Sequence, residues 1–310
     1  CRGALFYDRN YCEASFTKDV FYFIQEDQNM KCFRSFIGFG LLSMMLCTLA
    51  ACGSNDAPAN DMDNQNVLRV GMECAYAPNN WQEDQVSDTN LPIENVSGFY
   101  AEGYDVQMAK QIGEALDAEI VIVKLSWDGL IDSLKSGQID MVIAGMADTE
   151  DRRQSVNFSD FYSVRKTEYV IVVDENSSYA DADSLSDFAG ASLLGQKNTK
   201  YDEVIDQIEG VDHLPPVTDV ANMIARLNQG AADGIVLDTE SAVAYTNVYP
   251  NLVTISFPDG QGFELGFNGA CIGLRKEDTA LLDQVNAALA EIPTETRQEM
   301  LTQAQAKMPQ

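Results

Sequence analysis

Histidine and tryptophan are scarce in this sequence, and acidic residues far outnumber basic ones. The 310 residues include one histidine and two tryptophans, and 48 aspartates and glutamates stand against 20 lysines and arginines. A formal net charge of −28 argues against a basic, phosphate-binding surface and therefore against nucleic acid as a partner. The single histidine, His213, lies in a segment flanked by prolines, which predicts a loop. Without a C-x-x-C pair or a Cys/His cluster, neither a metal site nor a cofactor is predicted.

An apolar run long enough to span a membrane is also missing. The apolar stretch 36–48 follows a basic start at Met30-Lys31 and precedes Leu49-Ala50-Ala51-Cys52, which is the pattern of a secretory signal rather than of a spanning helix. The alternative, a buried core helix, is disfavoured by the polar tract that follows at once. The last four residues resemble the lipobox of bacterial lipoproteins, which implies lipid attachment at Cys52.

These features divide the chain before its folded part begins. Residues 1–29 precede the signal and start without methionine, so they are expected not to belong to the native protein. Residues 30–51 are the predicted signal peptide, and 52–66 are a flexible tether, too polar to pack. About 245 residues remain, enough for one large or two modest domains. Cys74 and Cys271 could form a disulfide in an exported protein or stay as buried free thiols.

From Val67 onward, strand and helix patterns alternate. Strands are predicted at 67–71, 120–123 and 141–144, and helices at 104–116 and 127–135, where apolar residues recur at helical spacing. Gly137 ends the second helix. This order predicts an α/β fold of sheets with helices on their faces.

A weak internal repeat indicates two similar lobes. Segments 130–145 and 223–238 share a helix, a glycine stop, an aspartate and a buried strand at a constant offset of 93 residues. Chance similarity between two ordinary α/β units is the alternative. If the repeat is genuine, each lobe offers the carboxyl end of a strand, where open α/β sheets bind ligands.

The first copy leads into a candidate anion site. The strand ends at Gly145, and either Asp148 or Thr149 can cap a following helix. The free N–H groups of a helix start, together with the planar guanidinium of Arg152, suit a carboxylate. Taken alone, a first-turn arginine such as Arg152 is more often a solvated or salt-bridged surface group, and Arg153 is expected to face solvent.

The second copy ends at Asp238, at the carboxyl end of its strand. A carboxylate there needs a partner because an isolated buried charge is costly. A ligand ammonium would supply one, and capping of the next helix is the alternative role. Arg152 and Asp238 together predict a site for the two charged groups of an α-amino acid.

At this point the chain resembles the bacterial extracellular solute-binding proteins of polar amino-acid ABC transporters (family 3). The resemblance extends from about residue 68 to 307, and its strength lies in the order and spacing of motifs that are individually weak. They are Val70–Pro78, Gly103–Val106, Ser126–Ile131, Ala144–Arg152, Val156–Tyr162 and Gly273–Asp278.

The resemblance implies a two-lobed periplasmic-binding-protein-like (type II) fold. Each lobe is a sheet flanked by helices, and two crossing hinge strands join the lobes, which close around the ligand. The implied boundaries are 67–166 for the first part of lobe 1, 167–263 for lobe 2 and 264–310 for the second part of lobe 1.

The resemblance also assigns ligand contacts residue by residue. Arg152 would bind the ligand α-carboxylate, with backbone groups from 145–147, and Asp238 would bind the ammonium. Glu73 would reach the ligand side chain, which points to a basic amino acid, although glutamine-type pockets also carry an acid there. The full implied set is Glu73, Tyr76, Trp81, Trp127, Gly145, Met146, Ala147, Arg152, Asn198, Thr199, Lys200 and Asp238.

Three positions depart from the family pattern. Ala147 replaces a serine or threonine and removes a hydroxyl donor. Asn198 replaces a glycine, which asparagine tolerates because it accepts left-handed conformations. Asn79 stands where phenylalanine is usual. The aromatic residues Tyr76, Trp81 and Trp127 could equally belong to the core.

The implied function is that of a monomeric, lipid-anchored, extracytoplasmic receptor that delivers a polar or charged amino acid to an ABC permease. A dehydratase-like enzyme on the same fold is the first alternative. The sequence lacks a nucleophile–base pair, so that alternative would depend on a carboxylate pair such as Glu73 and Asp238. A sensor domain is a third possibility and would need an output module.

Overall fold

The computed structural model describes residues 66–164, 167–258, 260–266 and 269–309. The predicted signal peptide and Cys52 lie outside the described residues. The strands are β1 Val67–Met72, β2 Ala75–Tyr76, β3 Asn80–Glu83, β4 Leu91–Pro92, β5 Tyr100–Glu102, β6 Glu119–Lys124, β7 Met141–Val142, β8 Asn157–Phe161, β9 Tyr169–Asp174, β10 Ser192–Leu194, β11 Asp212–His213, β12 Gly234–Asp238, β13 Leu252–Ile255 and β14 Cys271–Leu274. The helices are α1 Tyr104–Leu116, α2 Leu130–Lys135, α3 Glu150–Arg153, α4 Lys200–Glu203, α5 Val220–Asn228, α6 Thr239–Val248, α7 Thr279–Glu291 and α8 Thr294–Ala306.

Two five-stranded sheets share one topology. The first has the order β6-β1-β7-β14-β8 and the second the order β11-β10-β12-β9-β13. In each, three neighbouring strands are parallel and the last two are antiparallel to their neighbours. The prediction of a two-lobed α/β fold is confirmed, and the two copies of the repeat lie in different sheets, as α2–β7 and α5–β12.

Two connections join the sheets. Residues 162–168 lead from β8 to β9, and residues 256–270 lead back from β13 to β14. The first sheet is therefore built from both ends of the described chain and the second from its middle. The lobe boundaries at 166 and 263 stay predictions within these connections.

The central strands have continuous apolar sequences because they are buried in the core. Every residue of β12 and β14 is buried, as expected where helices cover both faces of a mostly parallel sheet. Among the residues described, no helix is both long and apolar enough to cross a membrane. Cys74 and Cys271 are buried free thiols, and burial raises the pKa of each to about 12.

His213 lies in β11, so the loop prediction for it was wrong. Its Nε2 and Nδ1 lie 2.9 Å and 2.8 Å from carboxylate oxygens of Asp202 and Asp206. Partial burial acts to lower the pKa of His213, but the two carboxylates outweigh it and raise the pKa. Asp202 belongs to α4, so this cluster ties that short helix to the sheet.

We expect the imidazole of His213 to titrate above its usual pKa of about 6.5. Its contribution to stability is then present below that value and is lost as pH rises through the raised pKa. Because the chain has one histidine, a single NMR imidazole signal reports the midpoint directly. Asp206→Asn should move the midpoint back down. A wild-type midpoint at or below the usual value would contradict the assignment.

Candidate functional site

Arg152 stands where the first sheet meets the second. The cap of α3 is Thr149, whose Oγ1 accepts from the Arg152 backbone N–H at 3.4 Å. The guanidinium donates through Nη1 to the Ala147 carbonyl at 2.9 Å and through Nη2 to the Asn198 carbonyl at 3.3 Å. It also lies 5.2 Å from the ring centroid of Trp127. These contacts hold the charge at the cleft, and burial lowers the pKa of Arg152.

The neighbouring residue, Arg153, differs from Arg152 in its exposure and in its partner. It is exposed and forms an ion pair with Asp148, as the sequence predicted for a solvent-facing arginine. The two adjacent arginines therefore have separate roles, and only Arg152 faces the cleft.

Asp238 has the capping role that the sequence left open for it, and its second carboxylate oxygen faces two phenols. Its Oδ1 accepts from the backbone N–H of Ser241 at 2.9 Å, which caps α6. Its Oδ2 accepts from the hydroxyls of Tyr76 at 2.6 Å and Tyr201 at 2.5 Å. Two phenols thus neutralise part of the cost of burying this carboxylate.

Tyr201 was not predicted from the sequence, because the predicted contacts in this segment end at Lys200. It lies in the first turn of α4, where Thr199 Oγ1 accepts from its backbone N–H at 3.2 Å. Its hydroxyl lies 2.7 Å from that of Tyr76, on the opposite lobe. Burial, and then the charge of Asp238, raises the pKa of Tyr76 and of Tyr201 well above the usual value, so both stay neutral donors. The capping threonine could have indicated Tyr201, because a residue two positions after a helix cap lies beside the cap.

Glu73 lies at the other end of the cleft and is buried. Its Oε1 accepts from Gln196 Nε2 at 2.9 Å, across 123 positions of sequence. Burial raises the pKa of Glu73 to about 8, the hydrogen bond from Gln196 opposes this, and nearby aspartates add to it. Gln196 is a second cleft residue that the sequence did not indicate.

The two sheets also contact each other directly beside the cleft. Asp128 pairs with Lys197 at 2.9 Å and accepts from Asn198 Nδ2 at 2.6 Å. Trp127 Nε1 donates to the carbonyl of Asn198 at 2.9 Å. Asn198 has a φ of 58°, the left-handed conformation expected for it. The lobes are therefore closed on one another in this structure.

Two neighbouring cavities fill the cleft, with volumes of about 70 and 40 Å³. Five residues from both lobes line both of them: Tyr76, Gly145, Ala147, Tyr169 and Tyr201. The larger also borders Asp238, and the smaller borders Glu73, Trp127, Arg152, Gln196, Thr199 and Lys200. The cleft thus carries a cation at one wall and a carboxylate at another.

Not every predicted contact faces this cleft. Trp81 is buried and lines a separate cavity with Tyr245 and Tyr249, which fits the core role that the sequence left open for it. Met146 is buried and lines neither cleft cavity, and its carbonyl accepts from Cys271 N at 2.8 Å. The structure therefore places these two side chains away from the two cleft cavities, and their assignment as ligand contacts stays a prediction.

Three more predicted donors are already engaged within the protein. The N–H of Gly145 donates to the Tyr162 hydroxyl at 2.9 Å. The hydroxyl of Thr199 donates to the Gln196 carbonyl at 2.7 Å. Lys200 pairs with Glu203 in the same helix. These three donors could therefore bind a ligand only if their internal bonds exchange.

A comparison with known families identifies the chain. Residues 68–304 match the bacterial extracellular solute-binding proteins, family 3. The chain belongs to this family. This family member carries no group of three or more potential metal ligands in the part of the chain that the structure describes.

Relatives of this solute-binding protein include a probable histidine-binding protein of Campylobacter jejuni, 28% identical, with 71% of this chain and 80% of that protein aligned. The arginine-binding extracellular protein ArtP of Bacillus subtilis is 26% identical over 79% of this chain and 87% of ArtP. A solved structure, the arginine-bound form of a truncated ArgBP from T. maritima, is 31% identical, covers 74% of this chain and 97% of its own, and superposes with a TM-score of 0.60. Family and relatives are solute-binding proteins, so the prediction that this protein is not an enzyme is confirmed.

Proposed function

We propose that this protein is the substrate-binding component of an amino-acid ABC import system. It captures a polar or charged L-amino acid between its lobes and delivers it to a permease in the membrane. One observation carries the proposal: the guanidinium of Arg152 and the carboxylate of Asp238 border adjoining cavities of one closed cleft. Opposite charges that border one cleft suit a zwitterion.

The proposed roles follow from chemistry. Arg152 presents a planar fork that matches the ligand α-carboxylate. Asp238 receives the α-ammonium, and Tyr76 and Tyr201 must turn their hydroxyls away from Oδ2 to admit it. Glu73 then lies on the side-chain portion of the ligand.

The ligands named for the relatives support this reading at the level of a class. Histidine, arginine and L-cystine appear in the names of the relatives from Campylobacter jejuni, Bacillus subtilis and Escherichia coli. These ligands share the α-amino and α-carboxylate groups and differ in the side chain. We therefore propose that this chain binds the α-amino and α-carboxylate groups that these ligands share.

Export and anchoring belong to the same proposal. Residues 30–51 act as a signal peptide, Cys52 carries the lipid, and the tether after it keeps the monomeric binding lobes at the outer face of the membrane. Metabolic labelling with a fatty acid tests this part: label should appear in the wild type and disappear in Cys52→Ala.

Calorimetric titration with each of the twenty amino acids tests the binding function. The purified protein is first unfolded and refolded to remove bound ligand. Tight one-to-one binding of at least one polar amino acid, recovered chemically unchanged, is expected. If none of the twenty binds, the proposed function is wrong.

Replacing Gly145 by alanine is expected to weaken this binding by roughly tenfold or more, since overpacking costs about 1–3 kcal/mol. Gly145 has a φ of 64°, and a Cβ there would lie 2.7 Å from Cε1 of Tyr76. Gly137→Ala is the matched control, because φ is 76° with nothing within 4 Å. Both variants carry a similar backbone strain of about 1 kcal/mol, so equal affinities in the two would contradict a role for the Tyr76 contact.

A further inference from the structure

Glu73 has fewer partners than a buried carboxylate normally needs. Gln196 Nε2 donates to its Oε1 and also to the carbonyl of Thr218 at 3.1 Å. Because a carbonyl only accepts, the nitrogen of the Gln196 amide must face both groups. No hydrogen bond joins Glu73 Oε2 to any of the described residues, and Glu73 lines the smaller cavity.

The charges around Glu73 favour its protonated form. Asp219, Asp128 and Asp105 surround it with negative charge. Asp128 is paired with Lys197, and Asp105 accepts from Tyr162 and Asn80. The three aspartates belong to three different segments of the chain, and each acts to raise the pKa of Glu73.

The cations that share the cavity are engaged elsewhere. Arg152 donates to the carbonyls of Ala147 and Asn198, and Lys200 pairs with Glu203. Neither forms a salt bridge with Glu73. In the closed protein, a carboxylate at this position therefore needs a positive charge from the ligand, or it takes up a proton.

We propose that Glu73 selects the charge of the bound side chain through its own protonation state. The inference rests on the proposed amino-acid-binding function. As an acid, Glu73 donates from Oε2 to an oxygen of a neutral polar side chain. As a carboxylate, it accepts from an ammonium or guanidinium group, and its proton passes to solvent.

The direction of the pH dependence follows from the proton count. With a neutral ligand the closed protein keeps the Glu73 proton up to about pH 8, since burial raises the pKa to about 8. With a cationic ligand the proton is lost at lower pH. Between the two pKa values of Glu73, the complex with the neutral ligand holds one proton more than the complex with the cationic ligand. Preference for the cationic ligand should therefore rise roughly tenfold per pH unit and level off above about pH 8.

L-arginine and L-citrulline are suitable probes, because they have nearly the same shape and differ in side-chain charge. Dissociation constants are measured by calorimetry from about pH 6 to about pH 8, and the citrulline-to-arginine ratio should rise across that range. At about pH 7, titrations in buffers of different ionisation enthalpy should show the two ligands differing by close to one proton. A ratio that stays constant with pH, or binding of neither probe, overturns the proposal.

Two variants separate Glu73 from other titrating groups. Glu73→Gln should make the ratio independent of pH. Asp219→Asn keeps an N-cap for α5, where Asp219 accepts from Asn222 N at 2.8 Å, but removes one negative charge. It should move the rise in the ratio to lower pH, which serves as the test if Glu73→Gln does not fold.

The outcomes distinguish this inference from the proposed function. Binding of both probes with a pH-independent ratio overturns the role of Glu73 and leaves amino-acid binding intact. Binding of other amino acids but of neither probe does the same. Failure of all twenty amino acids overturns both.

Discussion

Arg152→Ala is expected to weaken amino-acid binding strongly. Removing one partner of a buried, hydrogen-bonded charge pair typically costs about 2–5 kcal/mol, so affinity should fall at least about 30-fold. The loss has two sources. The ligand α-carboxylate loses the guanidinium that binds it, and the carbonyls of Ala147 and Asn198 lose their hydrogen-bond donor. Calorimetric titration with the best ligand of the wild type measures the effect.

Arg153→Ala is the matched control for this experiment. It removes the same charge one residue away, from an exposed side chain paired with Asp148. Exposed ion pairs contribute little to stability, so affinity should stay close to that of the wild type. Arg152→Lys should fall between the two, because lysine keeps the charge but not the bidentate geometry or the stacking on Trp127. Equal affinities of Arg152→Ala and Arg153→Ala would exclude Arg152 as the carboxylate site.

Asp238→Asn is expected to have an effect of similar size. An ammonium bound next to an amide instead of a carboxylate is a buried charge without its partner, which costs about 3–5 kcal/mol. The affinity for amino acids should therefore fall by about 100-fold or more. The hydroxyls of Tyr76 and Tyr201 would still find an oxygen acceptor at the same place.

A second substitution at this position separates binding from stability. Asparagine caps helices about as well as aspartate, so Asp238→Asn should leave the free energy of unfolding nearly unchanged. Asp238→Ala also loses the bond from Ser241 N and should be destabilised by about 0.5–2 kcal/mol. Chemical denaturation measures the difference. Full ligand affinity in Asp238→Asn would show that the carboxylate serves α6 alone.

Much of the fold could be predicted because its signals are local. Helical spacing of apolar residues predicted α1 at its observed bounds. The helix–glycine–strand repeat predicted one like unit in each of the two sheets. In such segments neighbouring residues decide the conformation, through periodicity, caps and glycine stops.

Local patterns also predicted Arg152 and Asp238, because each follows a buried strand and stands at a helix start. Local patterns do not give the facing direction of a side chain. Trp81 and Met146 were assigned from the resemblance, and both are buried and line neither cleft cavity.

What the tertiary structure alone decided is how the two ends of the cleft are completed. Tyr201 meets Tyr76 across 125 positions, and Gln196 meets Glu73 across 123. No periodicity or cap encodes such a pair, because it forms only when two separately built sheets bring the carboxyl ends of their strands together. By itself the sequence determined two α/β lobes with a cation on one and a carboxylate on the other. Closure determined the rest: it brings Gln196 of the other lobe to the buried Glu73, and in a medium of low dielectric constant the partners that reach a carboxyl group decide whether it keeps its proton.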